Sequence, residues 1–296
     1  MTNLAIKYNP EARQNIINDI EAQIELCYTC NSCASECPMN VATNRLRPLK
    51  IVRMANMGMI EELAKLPEVW YCLQCNRCKE VCPMTVKPSY LIKYVRQISS
   101  FAKIVSTEFL EEYKKICDKF HRVRWHLASA CLNNLSISDF GKNWHKWAET
   151  PIEHLDEDKV FLLKSSNNSK NFKNVINSHM GYPNNLSTCF TCLACTCNCP
   201  VCYNKPIFDP LKIFRMVNLG QKDILLKSPI IWLCLGCQNC TNVCTQDVRG
   251  HLIIHNLQEM AIHEGIVDKN IRYCMEKAHA EIYLRFTEEV DSLFKY

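Results

Sequence analysis

Sixteen of the 21 cysteines fall into four blocks of one form, C-x2-C-x2-C-x3-C: Cys27, Cys30, Cys33 and Cys37; Cys72, Cys75, Cys78 and Cys82; Cys189, Cys192, Cys195 and Cys199; Cys234, Cys237, Cys240 and Cys244. Proline follows three of them, at Pro38, Pro83 and Pro200, whereas Thr245 follows the last. Three cysteines so closely spaced can wrap three corners of an iron–sulfur cubane on one loop, while the fourth is held away and reaches a neighbouring cluster, as in two-cluster ferredoxins. The expected ligand sets are therefore crossed: Cys27, Cys30, Cys33 with Cys82; Cys72, Cys75, Cys78 with Cys37; Cys189, Cys192, Cys195 with Cys244; and Cys234, Cys237, Cys240 with Cys199. Four [4Fe–4S] clusters are the expected cofactors, with these cysteines as iron ligands.

Other uses of so many thiols fit the spacing less well. Disulfides suit isolated pairs in an oxidising compartment, and zinc sites favour C-x2-C pairs divided by a spacer. A c-type haem needs C-x-x-C-H, which does not occur. With every corner of each cubane bound by thiolate, no iron is left open to substrate, so the expected role is outer-sphere electron transfer without a catalytic residue in this chain. The third block also holds Cys197 and Cys202. Either could replace a ligand or serve a partner's cofactor, and a spare buried thiol is the plainer reading. Cys117, Cys131 and Cys274 have no cysteine neighbours in sequence and are expected in the core.

The blocks are positioned by a duplicated frame. At an offset of 162 residues the first two blocks align with the last two without a gap, and so do Pro48, Leu49, Lys50, Ile51, Arg53, Met54, Asn56, Gly58 and Trp70 with Pro210, Leu211, Lys212, Ile213, Arg215, Met216, Asn218, Gly220 and Trp232. The spacers are expected to be helices: Asp209 can cap, Pro210 suits the first helical position, and Gly220 or Gly58 can close the end. Ile16, Ile17, Ile20, Ile24 and Leu26 make a helical stripe after Pro10, and apolar residues at steps of three and four predict one long helix from Tyr90 to Ile116. Further helices are expected over Leu252–Met260 and Asn270–Leu293. Strand signals are nearly lacking, so the fold class is mainly α, two tandem α-helical ferredoxin-like domains at 1–163 and 164–296. The polar stretch from Lys164 to Lys173 is the linker candidate.

Some side chains have two readings. Trp70 and Trp232, two residues before a block, could shield a cluster or simply pack. Trp125, His126, Trp144, His145 and Trp147 could mark a partner or quinone surface, but a helix packing face is the simpler account. Lys114, Lys115, Lys119, Arg122 and Arg124 could dock an acidic partner or line a solvated helix face.

The formal charge is +5. An oxidised [4Fe–4S] core with four thiolates carries −2, so four would bring the chain to about −3, and the basic residues then compensate cluster charge rather than bind nucleic acid. Charged residues interrupt the first twenty positions, which argues against a secretory leader, and no apolar run approaches the ~18–20 residues of a membrane span. A reducing cytoplasm is the expected location.

C-Y-T-C-N-S-C-A-S-E-C-P at 27–38, the P-L-K-I-V-R-M helix and W-Y-C-L-Q-C-N-R-C-K-E-V-C-P at 70–83 resemble the C subunit of heterodisulfide reductase, over roughly residues 15–100 and again 185–262. The resemblance implies an α-helical ferredoxin domain related to that of the succinate dehydrogenase iron–sulfur subunit. It also implies a relay of electrons between an A-like flavoprotein subunit and a B-like subunit whose CCG motifs hold the catalytic clusters. No Cys-Cys pair occurs here, so a fused B-type module is absent and a separate one is the implied partner. The tandem arrangement departs from the single-domain subunit. A freestanding redox sensor or carrier and a zinc-stabilised scaffold are the other function classes.

Overall fold

Proline opens several of the elements that frame the cysteine blocks, at Pro38, Pro48, Pro88 and Pro210, whereas Gly250 opens the helix after the fourth block. The structure is a computed structural model that describes residues 8–138, 140–152, 169–178, 183–202 and 207–294, and among these all regular structure is helical. Helices Pro48–Asn56 and Pro210–Asn218 both begin on proline, and the second is capped by Asp209, whose carboxylate accepts the Leu211 amide at 2.9 Å. Each ends before a glycine at φ 74°, Gly58 and Gly220. A Cβ at Gly58 would stand 2.0 Å from the Asn9 carbonyl oxygen, so glycine is required there twice over, by backbone and by space.

The chain divides into two compact units, Met1–Ile116 with Tyr283–Tyr296, and Cys117–Ile282. The expected domain boundary at 163/164 and residues 164–168 of the Lys164–Lys173 stretch lie outside the described residues, while the rest of the stretch opens helix Ser169–Ser178 rather than an irregular linker. In the first unit, Ile51, Val52 and Ala55 meet the buried face of helix Pro88–Phe101, which carries Leu91, Ile92 and Val95. Each such aliphatic side chain contributes about 1.5–3 kcal/mol on burial. The unit's C-terminal segment is tied by polar contacts. Arg45 donates to Thr287 at 2.6 Å and to the Tyr71 hydroxyl at 3.1 Å, and Asp291 accepts from both Arg45 and Tyr71.

The second unit packs Ile213, Phe214, Met216 and Val217 against Ile253, Ile254 and Leu257 of helix Gly250–His263. It also holds the aromatic residues from Phe120 to Trp147. Trp144 is wholly buried, Trp125 and His126 nearly so, and Trp147 stacks on Phe140 with centroids 4.7 Å apart. These residues form a packing face.

Four further expectations need correction. The run from Tyr90 to Ile116 is not one helix but two, Pro88–Phe101 and the start of Thr107–Leu132. Lys103 adopts φ 54°, the amides of Ile104 and Val105 turn back to the Ser99 carbonyl, and the Ser106 hydroxyl caps the next helix through the Phe109 amide. The stripe from Ile16 to Leu26 likewise breaks after Asp19 and resumes as a short 3-10 turn at Ile24–Leu26. Cys131 and Cys274 are not lone core thiols. They form a disulfide across 143 residues of sequence, within the second unit. Finally, Arg124 is not on a solvated face: it is 1% exposed, with one guanidinium nitrogen donating to the Leu233 carbonyl at 3.0 Å.

Candidate functional site

Every cysteine block wraps in the same way. The residues on either side of its second cysteine are left-handed: Thr29 and Asn31 around Cys30, Gln74 and Asn76 around Cys75, Thr191 and Leu193 around Cys192, Gly236 and Gln238 around Cys237. Seven of these eight are not glycine, although the left-handed region disfavours side chains. Backbone held there at four equivalent places marks a functional loop. Two of these eight residues already turn their amides to sulfur: Gln74 N–H donates to Cys72 Sγ and Gly236 N–H to Cys234 Sγ, both at 3.4 Å.

Three cavities gather thiols from two blocks each. Cys27, Cys30 and Cys33 share one with Cys82; Cys72, Cys75 and Cys78 share another with Cys37; Cys234, Cys237 and Cys240 share a third with Cys199. Their volumes are about 340, 350 and 330 Å³, with part of each open to solvent. Apart from the thiols the walls are mostly apolar, with Leu49, Val52 and Pro88 in the first, Met39, Leu46 and Ile92 in the second, Val201, Phe208 and Ile254 in the third. In the remaining set, Cys189 acts electrostatically on Cys195, Cys192 is exposed, and Cys244 Sγ accepts the Val248 amide at 3.4 Å. Cys197 is exposed and Cys202 half-buried, and neither lines these three cavities.

Burial works against charging these thiols. It pushes Cys33 and Cys195 up to about 11 and Cys37 up to about 12, and raises Cys72, Cys78, Cys199 and Cys240 as well, with neighbouring thiols adding to the shift for most of them. Exposed Cys30 is lowered instead, by the Ser32 hydroxyl at 3.3 Å. Four thiolates around one cavity thus need a positive core to hold them, as a multi-iron centre provides. Among the described residues no three Cys, His, Asp or Glu side chains are placed to hold a single metal ion. The thiols line the walls of the three cavities.

One buried polar atom points the same way. Ser89, 1% exposed, lines the second cavity, and its hydroxyl has no hydrogen-bond partner among the described residues. The donor set and this orphaned hydroxyl both fit a sulfur-rich cofactor.

The first and second blocks differ in exposure. Cys30 and Cys192 are exposed, each beside an aromatic residue that is 57% exposed, Tyr28 and Phe190. Cys75 and Cys237 are buried. Around the inner sites, polar side chains brace the approach to the block. Arg96 donates to the Val69 carbonyl at 2.8 Å and the Cys72 carbonyl at 2.7 Å, and Gln258, 162 residues on, donates to the Ile231 carbonyl at 2.7 Å. Trp70 packs against Phe109, Tyr113 and Arg96, which settles it as core. Sequence reasoning missed Ser89 and Arg96. Their one signal was mismatch with the repeat, where His251 and Gln258 stand at the same places.

The 4Fe-4S dicluster domain model matches residues 23–86 and again 185–248, so the chain carries that domain twice. It is 36% identical over 88 residues to the C subunit of the H(2):CoB-CoM heterodisulfide,ferredoxin reductase of Methanothermobacter thermautotrophicus, covering 30% of this chain and 46% of the relative. It is 32% identical over 91 residues to the C subunit of the ferredoxin:CoB-CoM heterodisulfide reductase of Methanosarcina acetivorans, covering 31% and 36%. Against the second iron-sulfur C subunit of the CoB–CoM heterodisulfide reductase of Methanocaldococcus jannaschii the figures are 34% over 99 residues, 32% and 52%. The chain thus spans about half, or less, of the length of these relatives. No solved structure matches it. No helix of the described residues is long and apolar enough to cross a membrane.

Proposed function

We propose that this chain is the electron-transfer subunit of a heterodisulfide reductase-like complex and relays electrons through four [4Fe–4S] clusters. In this reading a flavoprotein subunit stands on one side and a CCG-type catalytic subunit on the other. The observation that carries the reading is the gathering of three cysteines of one block and the fourth of another around a single cavity, in three places. The names of the relatives support the type of complex. The ligand sets are the crossed ones, with Cys189, Cys192, Cys195 and Cys244 forming the fourth by repeat symmetry.

When bound, each cluster supplies one-electron redox chemistry. The chain's own part is to bind, insulate and leave an edge open. Thiolates take all four corners, so substrate has no iron to reach. Apolar walls limit the contact of the inner sites with water, which shapes their potentials. The exposed Cys30 with Tyr28, and Cys192 with Phe190, form the edges at which a partner's redox centre approaches.

Two measurements test this. Anaerobically purified chain should contain about sixteen iron and sixteen sulfide and give reduced-cluster EPR signals. A colourless, zinc-loaded chain would end the proposal. Affinity purification from the native host should also bring down a flavoprotein and a protein with CCG motifs. Clusters without those companions would favour a freestanding carrier.

A further inference from the structure

Ser89 is the second residue of helix Pro88–Phe101 and is 1% exposed. Its backbone amide donates to Cys78, so the residue is fixed against one of the second cavity's four thiols. A serine within a helix usually turns its hydroxyl back to a carbonyl three or four residues earlier. So near the helix start there is no helical carbonyl behind it, and the hydroxyl has no partner among the described residues. Ser89 lines a cavity whose other walls include Cys37, Cys72, Cys75, Cys78 and apolar side chains such as Met39, Leu46 and Ile92. A buried hydroxyl without a partner destabilises the fold, and sulfur is the acceptor chemistry this cavity is built to hold.

We propose that the Ser89 hydroxyl donates a hydrogen bond to a sulfur of the cluster held by Cys37, Cys72, Cys75 and Cys78, and so raises that cluster's reduction potential. This rests on the cluster reading above and assigns a tuning residue within it. Reduction places one more electron on the cluster and makes its sulfurs better acceptors. A donor in contact therefore stabilises the reduced form more than the oxidised one, and no proton is transferred. The repeat supplies a contrast. The position equivalent to Ser89 is His251, which lines the third cavity and shares a 2.6 Å hydrogen bond between its Nδ1 and the Thr241 hydroxyl. The hydroxyl's influence is thus confined to one cluster of the four.

The test is Ser89→Ala in the full chain, purified anaerobically and titrated with dithionite and mediators under EPR. The variant should keep its iron, and one signal, the one that Cys72→Ser removes, should move to lower potential while the others stay. Pulsed EPR in deuterated buffer should count one exchangeable proton fewer around that cluster. Without clusters, Ser89→Ala should melt no lower than the parent, because the hydroxyl has no bond to lose there. An unmoved potential in iron-loaded variant, an unchanged proton count, or a lower melting temperature of the cluster-free variant would each overturn the assignment. A parent chain without iron and sulfide would instead overturn the cluster reading itself.

Discussion

The two inner sites share a backbone and differ in what surrounds it. Both blocks wrap through left-handed residues at matching places, both helices that follow end at a left-handed position, Lys103 or Gly265, and both loops are stitched alike, Lys87 N–H to the Ala22 carbonyl and Arg249 N–H to the Asn184 carbonyl. Ser89 and Ile92 line the first site and Arg96 braces its approach, whereas His251 and Ile254 line the second and Gln258 braces it. The repeat-matched pair Val52 and Pro88, beside the outer site of the first half, becomes Phe214 and Gly250. Bulk has moved from one neighbour to the other, since a Cβ on Gly250 would lie 2.4 Å from Phe214 Cζ and 2.9 Å from Cys240 Sγ. The contrast teaches that the placing of the cysteines is set by the loop backbone and the three cysteine spacings, leaving the enclosing side chains free to diverge. The block loops themselves follow suit: Glu25, Glu36, Arg77, Lys79 and Glu80 of the first half are replaced by Ser187, Asn198, Asn239, Thr241 and Asn242.

The largest effect should come from the covalent tie that only the second unit shows among the described residues. Closing 143 residues, the Cys131–Cys274 bond should contribute about 2–5 kcal/mol, so Cys131→Ser should lower that unit's unfolding free energy by this amount in denaturant titration under non-reducing conditions. The first unit, tied by Arg45, Tyr71 and Asp291, should not respond.

Acid should separate the units next. Burial, aided by the Arg124 charge, holds His121 and His279 near 3, against an ordinary 6.5. Both stay neutral in the folded chain, so their contribution is complete above pH 6.5 and is lost as pH falls toward 3, by up to about 1.4 kcal/mol per pH unit for each. Amide exchange measured at pH 7 and pH 5 should show protection falling in the second unit more than in the first, in the window of roughly 3 to 6.5 where the unfolded histidines charge and the folded ones do not. His279→Phe should halve the difference.

Exchanging bulk comes third. Gly250→Ala should cost about 1–3 kcal/mol through overpacking. Phe214→Val, which restores the partner found in the first half, should recover most of that in a double-mutant cycle. The smallest effect concerns Lys103, left-handed at φ 54° where the repeat has Gly265. Lys103→Gly should raise the melting point of the first unit slightly, in line with up to about 1 kcal/mol of relieved backbone strain.

These sites also mark what sequence could and could not convey. The blocks, the 162-residue duplication and the proline-led spacer helices were legible because each rests on local spacing. The break after Phe101 was hidden: Phe101, Val105 and Phe109 keep helical steps straight across it, and Lys103 lacks the glycine that announces the same turn at Gly265. Cys131 and Cys274 pair across 143 residues with no motif around either. Arg124 belongs to a basic run by composition, yet its guanidinium is spent inside, on a carbonyl beside Cys234. Long-range partnership decided the last two, and a local left-handed turn without glycine decided the first.

Crossed ligation is the claim on which the rest stands, and serine replacement in the full chain reads it most directly. EPR of the reduced, anaerobically prepared protein should lose the same cluster signal in Cys37→Ser as in Cys72→Ser, with the signal lost in Cys27→Ser left in place. If Cys37→Ser instead removed the signal that depends on Cys27, each block would serve a single cluster and the account would be contradicted.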